Sequence, residues 1–440
     1  MPMTRLRRIT QHGTALFWSS RKMKLFAKSA LCAAVATSVF AASAQAETSS
    51  FDPSLELTYK NYYWKQKNKV DAEKGKPEYY RDSWVQALVA DFDTGYINDS
   101  IGAVLTFGVA NKIDVKGPSI TNLGSNGNAI SGFQQAYLKG KHSFGDVDVK
   151  AEYGVKKRGY ELYGNSGSRI LAASSYGADL SAEYKDLKVY GARITGASNR
   201  NQSAFQRDLE IDGKKTNVVL VGANYKIAGV GLTGEHLIVK DYLKKNFVKA
   251  DYTFDLGGDL KLATDVRYGQ AKDGGSLLAG SDYKSSFINT NATLKKGDLF
   301  VGVGYNTVSD GDWNDGVGGR GNAGSYPSSA SQWNDYNKEG SKTYILTTGY
   351  NFAGVGVPGL SADMTFAVSK DAKNYTDYKG RDFISYVSYK FDGQLKGLSL
   401  AWLHAQDNYE GTAKSGKEDD NIKSRDRSNR FYLKYTKAIF

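Results

Sequence analysis

The ten residues Val147–Lys156 limit the folds open to this chain. Val147, Val149, Ala151, Tyr153 and Val155 are apolar, while Asp148, Lys150, Glu152 and Lys156 lie between them. Successive side chains of a strand point to opposite faces, so a strand here has one apolar and one ionic face. The same pattern recurs. Leu260, Leu262, Val266 and Tyr268 alternate with Lys261, Asp265 and Arg267, and Leu299, Val301, Val303 and Tyr305 recur at every second position. A helical period is almost absent after the first 46 residues. In a bilayer the apolar face must meet lipid and the charged face must line water. A soluble sandwich would bury that same apolar face, so alternation needs support from elsewhere in the chain.

The N-terminus supplies it. Lys24 and Lys28 precede an alanine-rich apolar run, Ala30–Ala42, and Ala44-Gln45-Ala46 fits a small-residue cleavage site. The sequence therefore predicts an upstream extension at 1–22, a secretory signal peptide at 23–46 and a mature β-barrel at 47–440. The leader holds seven of the 58 basic residues and none of the 46 acidic ones. That leaves 51 against 46, a net charge of +5, which gives no reason to infer a nucleic-acid partner. The single cysteine, Cys32, falls in the leader, so a mature chain has neither disulfides nor thiol metal sites.

The expected fold is all-β: a transmembrane antiparallel barrel of eighteen strands, from Pro53–Trp64 to Ser428–Phe440, with inward-folded loops. At about 22 residues per strand and connection, the count is ordinary for such barrels. An even number leaves both ends in the periplasm. The terminal Phe440 suits the last strand of an outer-membrane barrel and recognition by barrel-assembly machinery. Phe431, Leu433 and Tyr435 alternate out of phase with it, which implies a bulge or slip. Two connections are too long for turns. Lys156–Tyr176 carries Lys156, Lys157, Arg158 and Arg169 among glycines, and a fold into the lumen would narrow it. Ser309–Gly340 carries Asp310, Asp312 and Asp315 with Trp313 and Trp333. It reads either as an exposed outer loop or as a second lumen loop.

Short segments within these strands resemble one family, the OprD outer-membrane porins. Asn61-Tyr62-Tyr63 resembles its first strand and Ser83–Gly108 its second hairpin. Ser168–Ile194 resembles its S-R-L-L-P block, and Tyr305–Asp312 its Y-Q-x-V-S-G-D. Phe352–Ser361 and Leu395–Leu400 are also similar. The resemblance implies a monomeric or trimeric eighteen-stranded barrel in a Gram-negative outer membrane, surrounded by outer-membrane lipids. It implies passive diffusion of small hydrophilic solutes, carboxylates or amino acids, past a ladder of basic residues facing acidic ones. It implies no enzyme activity and no cofactor.

Lys150, Lys156, Arg158, Arg169, Arg193 and Arg267 are the expected basic side of the path. Glu152, Asp265, Asp310 and Asp312 are the expected acidic side. Arg169 matches the family's S-R-L-L arginine and Arg193 its G-R-F position. Two departures weaken the ladder: Ala401 and Leu403 stand where the family's L-R-W-R-N-A has arginines. Loss of those charges favours an alternative, a chitooligosaccharide-type channel. A barrel enzyme or an adhesin is the remaining reading. For an enzyme no catalytic motif stands out, and His142, His236 and His404 are isolated.

Overall fold

The computed structural model describes residues 52–69, 79–116, 121–203, 208–278, 282–317, 323–417 and 420–440. The proposed extension and signal peptide lie outside them. Eighteen strands form the wall. They are β1 Ser54–Asn68, β2 Tyr79–Asp93, β3 Ile101–Lys116, β4 Ile130–Phe144, β5 Val147–Lys156 and β6 Ser174–Tyr184. Then follow β7 Leu187–Ser198, β8 Val218–Ile227, β9 Val230–Val239, β10 Leu243–Asp255, β11 Leu260–Asp273 and β12 Lys284–Lys296. The circuit ends with β13 Leu299–Ser309, β14 Lys342–Asn351, β15 Leu360–Lys370, β16 Tyr375–Lys390, β17 Leu398–Ala413 and β18 Asp426–Ala438. Each pairs antiparallel with its neighbour in sequence. β18 pairs with β1 from Glu56↔Ala438 to Asn68↔Asp426, which closes the barrel and removes both edges.

The number and order of strands agree with the sequence reading. The connection after β7 differs, because it folds back as a small hairpin, Leu209–Ile211 with Lys214–Thr216. The slip expected near the C-terminus is absent: β18 keeps one register against β1 through Ala438. Ile439 and Phe440 lie beyond the strand and exchange backbone hydrogen bonds with Leu55.

Exposure separates the two faces. Ile101, Leu138, Leu180 and Val303 stand 58–63 % exposed on the outside, as lipid-facing side chains must. Inside, the largest apolar cluster joins loop residues Leu162, Tyr163, Trp313, Tyr326 and Tyr336 to wall residues such as Ile194, Leu237, Phe247 and Phe287. A second cluster joins Ile170 and Leu171 to Tyr62, Trp64, Val85 and Ala87. The loops thus form a core within the lumen, packed against opposite parts of the wall.

Candidate functional site: a basic wall across from a loop-buttressed wall

Both long connections fold inward. The β5–β6 loop is held first by Arg158. Its Nε donates to both Asp179 oxygens at 3.0 and 3.1 Å, and its Nη2 reaches Oδ2 at 2.5 Å. Its Nη1 donates to the Ser175 hydroxyl at 3.1 Å. Tyr160 donates to the same Asp179 at 2.5 Å. Farther along, the backbone amides of Glu161 and Leu162 donate to the Glu235 carboxylate on β9 at 3.0 and 2.8 Å, and Tyr190 joins at 2.9 Å. A carboxylate accepting from several fixed donors is well satisfied although removed from water.

The β13–β14 loop is latched in the same manner, which decides for the second lumen loop. Asn334 donates through its backbone to Asp382 at 2.8 Å, and through its side chain to Asp382 and Asp407 at 2.9 Å each. On β10, the fully buried Lys245 donates to the carbonyls of Asp315 and Gly316 at 3.1 and 3.0 Å. The two loops also join each other in a short antiparallel bridge, Ala323↔Asn165 and Gly324↔Gly164.

A group of arginines faces the strip between the two clusters. Trp64 on β1 is fixed by its own Nε1–H to Ser428 at 2.8 Å. Three guanidinium carbons surround its ring: Arg430 of β18 at 4.0 Å, Arg81 of β2 at 4.2 Å and Arg169 of the β5–β6 loop at 4.5 Å from the centroid. Arg430 also lies 4.6 Å from the ring of Trp333, so two indoles hold it. Arg200 is bound to Ser166 and Ser168 at 2.6 and 2.9 Å, and Ser168 also accepts from Arg169 at 3.0 Å.

Among the described residues no carboxylate pairs with Arg169, Arg200 or Arg430, and the Arg430 Nε has no hydrogen-bond partner. Burial, and then the charge of Arg200, lower the pKa of Arg169 below its ordinary range. A guanidinium starts so high that it stays charged at neutral pH.

The cations continue toward the periplasm. Inward-facing residues of β1 and β18 pair in rungs: Trp64↔Arg430, Tyr62↔Tyr432, Lys60↔Lys434 and Thr58↔Thr436. Each rung is about 7 Å from the next, two residues along a strand. Tyr62 and Tyr432 stack at 4.7 Å. A cavity of about 230 Å³ opens beside this face, lined by Lys60, Tyr62, Arg169, Ala401, Tyr432 and Lys434. The two arginines missing from β17 have neighbours one strand away, since Leu403 is opposite Arg430 and Ala401 opposite Tyr432. The basic charge is displaced to β18 and β1 rather than absent.

Of the expected site residues, Arg169 stands in the arginine cluster, and the others fall into three groups. Lys150, Glu152 and Lys156 face a cavity of about 670 Å³, together with Glu161, Glu235 and Lys249. There Lys156 pairs with Glu152, while Lys150 makes no ion pair among the described residues. Asp265 and Arg267 also face inward but pair with each other at 2.6 Å.

Four residues do not line a path. Arg158 is 3 % exposed and consumed by Asp179 and Ser175. Asp312 braces the base of its loop through Lys338 and the Glu339 amide, both at 2.8 Å. Asp310 is exposed at the end of β13 and accepts from Ser286 at 3.2 Å.

Arg193 is on the opposite face altogether. On β7, Tyr190, Ala192 and Ile194 turn inward, toward Glu235 and the lumen core. Arg193 therefore points to lipid, beside Val219 and Ala178. A charge on that face costs roughly 2–4 kcal/mol at mid-bilayer and 0–1 near the interface.

Trp64, Arg81, Arg200, Arg430, Lys60 and Lys434 escaped the sequence reading. Their phase was visible, as in Lys60-x-Tyr62-x-Trp64 and Arg430-x-Tyr432-x-Lys434. Their convergence depends on pairing the first strand with the last.

A closed barrel with lipid on the outside, charge on the inside and two inward loops defines an outer-membrane channel. The family described as outer membrane porin, OprD family, matches residues 51–439, and the chain belongs to it. It is 23% identical over 348 residues to Porin D of Pseudomonas aeruginosa, covering 74% of this chain and 76% of that protein. Among solved structures it is similar to OccK9 (OpdG) of P. aeruginosa, with TM-score 0.75 and 19% identity over 88% of this chain and 99% of that one. It is also similar to OccK2 (OpdF) of the same organism in complex with glucuronate, with TM-score 0.70 and 17% identity over 88% and 99%. The protein is a channel of the Gram-negative outer membrane and not an enzyme.

Proposed function

We propose that the channel passes small anionic solutes, carboxylates foremost, by passive diffusion along the β18–β1 wall. One observation carries this: among the described residues Arg169, Arg200 and Arg430 stand together without a carboxylate partner, where the loops narrow the lumen. Two charges 4 Å apart interact by about 1 kcal/mol in bulk water and several-fold more in a confined neck, so a cluster tilts selectivity where a single charge does little. A carboxylate at this point meets the field of the guanidinium cluster and then Lys60 and Lys434 one rung past the tyrosines. The glucuronate in complex with the related OccK2 is a hydroxylated carboxylate of this kind. Tyr62, Tyr432 and Trp64 offer rings against which a sugar acid or an aromatic acid can lie. A neutral oligosaccharide would leave the guanidinium cluster unpaired.

The test is block of single-channel current in a planar bilayer by glucuronate, benzoate, arginine and chitobiose. Block by the two acids, weakened in Arg430→Ala, supports the reading. Block by chitobiose alone moves the assignment to neutral sugars.

A further inference from the structure

The outward row Gly140–Ala151–Leu180–Gly191–Val221 runs across β4 to β8. Three of its five side chains are glycine or alanine, and the wall is hollowed there into a groove of about 660 Å³, mostly apolar. A side-chain carbon built on Gly140 would meet nothing nearer than 3.8 Å. The next row outward is Leu138–Tyr153–Ala178–Arg193–Val219. Arg193 is exposed and forms no hydrogen bond or ion pair with any described residue. It is the one charged side chain on the lipid-facing side of β5 to β8.

Its depth follows from the tyrosines. The Tyr153 hydroxyl bonds the Tyr176 hydroxyl, and Tyr184 ends the same face of β6 on the periplasmic side. Eight residues separate Tyr176 from Tyr184. That is about 26 Å along the strand and about 20 Å along the barrel axis at the usual tilt, close to the height of an apolar band between aromatic girdles. Arg193 is opposite Ala178, two residues inward of Tyr176, so its backbone lies about 5 Å below the outer girdle; its long side chain reaches up to the headgroups, and the groove below it lies at acyl-chain depth. A cation at that level with no protein partner finds its counter-ion among headgroups.

We propose that this groove seats a phosphate-bearing lipid of the outer leaflet, with the phosphate on Arg193 and an acyl chain along Gly140, Ala151 and Gly191. The proposal rests on the outer-membrane location and not on the solute carried through the lumen.

The experiment is native mass spectrometry of the refolded mature protein titrated with diphosphorylated lipid A, and separately with phosphatidylethanolamine. Wild type should retain lipid A. Retention should fall about fivefold in Arg193→Ala. It should fall similarly in Ala151→Leu, which fills the groove, and largely survive in Arg193→Lys. Phosphatidylethanolamine should be retained weakly by all. Single-channel conductance should stay at the wild-type value in every variant, because the residues lie outside the lumen, and this certifies the fold. Equal lipid A retention by Arg193→Ala with normal conductance would overturn the proposal, as would indiscriminate retention of both lipids. Arg193-dependent dimers or trimers free of lipid would also overturn it and assign the face to a second copy of the chain.

Discussion

The wall from β18 through β1 to β2 and the wall from β6 to β10 both carry inward charges, and they use them differently. On the second wall several of the charges hold the loops. Asp179 holds Arg158, Glu235 holds two loop amides, and Lys245 holds two loop carbonyls. On the first wall, Lys60, Arg430 and Lys434 make no ion pair among the described residues, and they face aromatic rings and the lumen cavity. An inward charge in a narrow barrel is therefore a latch or a contact for solute. The difference is whether a loop reaches it. Buried latches hold the constriction in place, and unpaired cations give it a field.

The latch side should show the largest response. Arg158→Ala leaves Asp179 buried without its partner, a change expected to cost about 3–5 kcal/mol. Its melting temperature in detergent should fall, and its single-channel current should grow and become noisy as the β5–β6 loop loosens. A quiet, wild-type current would show that the loop does not depend on this latch.

Arg430→Ala comes next. It removes one cation at the narrow point and should lower the anion-to-cation permeability ratio about three- to tenfold, a loss of roughly one charge-assisted contact, while its lost contacts with Trp64 and Trp333 cost about 1 kcal/mol of stability. Ala401→Arg sharpens the comparison by returning a guanidinium to β17 beside the cavity at Lys60 and Lys434. It should raise anion preference and lengthen block by glucuronate. Unchanged block would mean that this cavity is off the solute path. Lys150→Ala should have the smallest effect, less than about twofold in permeability ratio, since one charge in a wide, solvated lumen is largely screened.

The strands were legible in the sequence because the bilayer enforces a strict period of two. All eighteen can be read from runs such as Val147–Lys156 and Leu260–Tyr268, and the family from short segments spread over them. That Lys156–Tyr176 is a long, charged loop able to fold inward was legible; that it does so was not.

Roles of single charges were not, for two physical reasons. First, the face of a residue depends on register, and one slipped residue reverses it. The β6–β7 pairing is irregular next to Gly177, where Tyr176 pairs with Gly196 but Gly177 with Ile194. A phase carried from the outer end of β7 thus changes face before Arg193. Counted from the Lys185-Asp186 turn, Lys188 and Tyr190 are inward and Arg193 outward. Second, whether an inward charge is free depends on where a loop lands. Arg158 and Arg169 lie eleven residues apart on one loop, yet one is sealed against Asp179 and the other stands over Trp64. The arginine cluster and its indoles draw on β1, β2, β18 and three loops, a meeting that only barrel closure produces.

The β18–β1 wall is expected to set a field for anions. The most direct measurement is the reversal potential of the refolded mature channel under a potassium chloride gradient, for wild type and Arg430→Ala. An anion-selective potential in wild type that moves toward zero in the variant is the expected result. Cation selectivity in wild type, or the same potential in both proteins, would contradict the account.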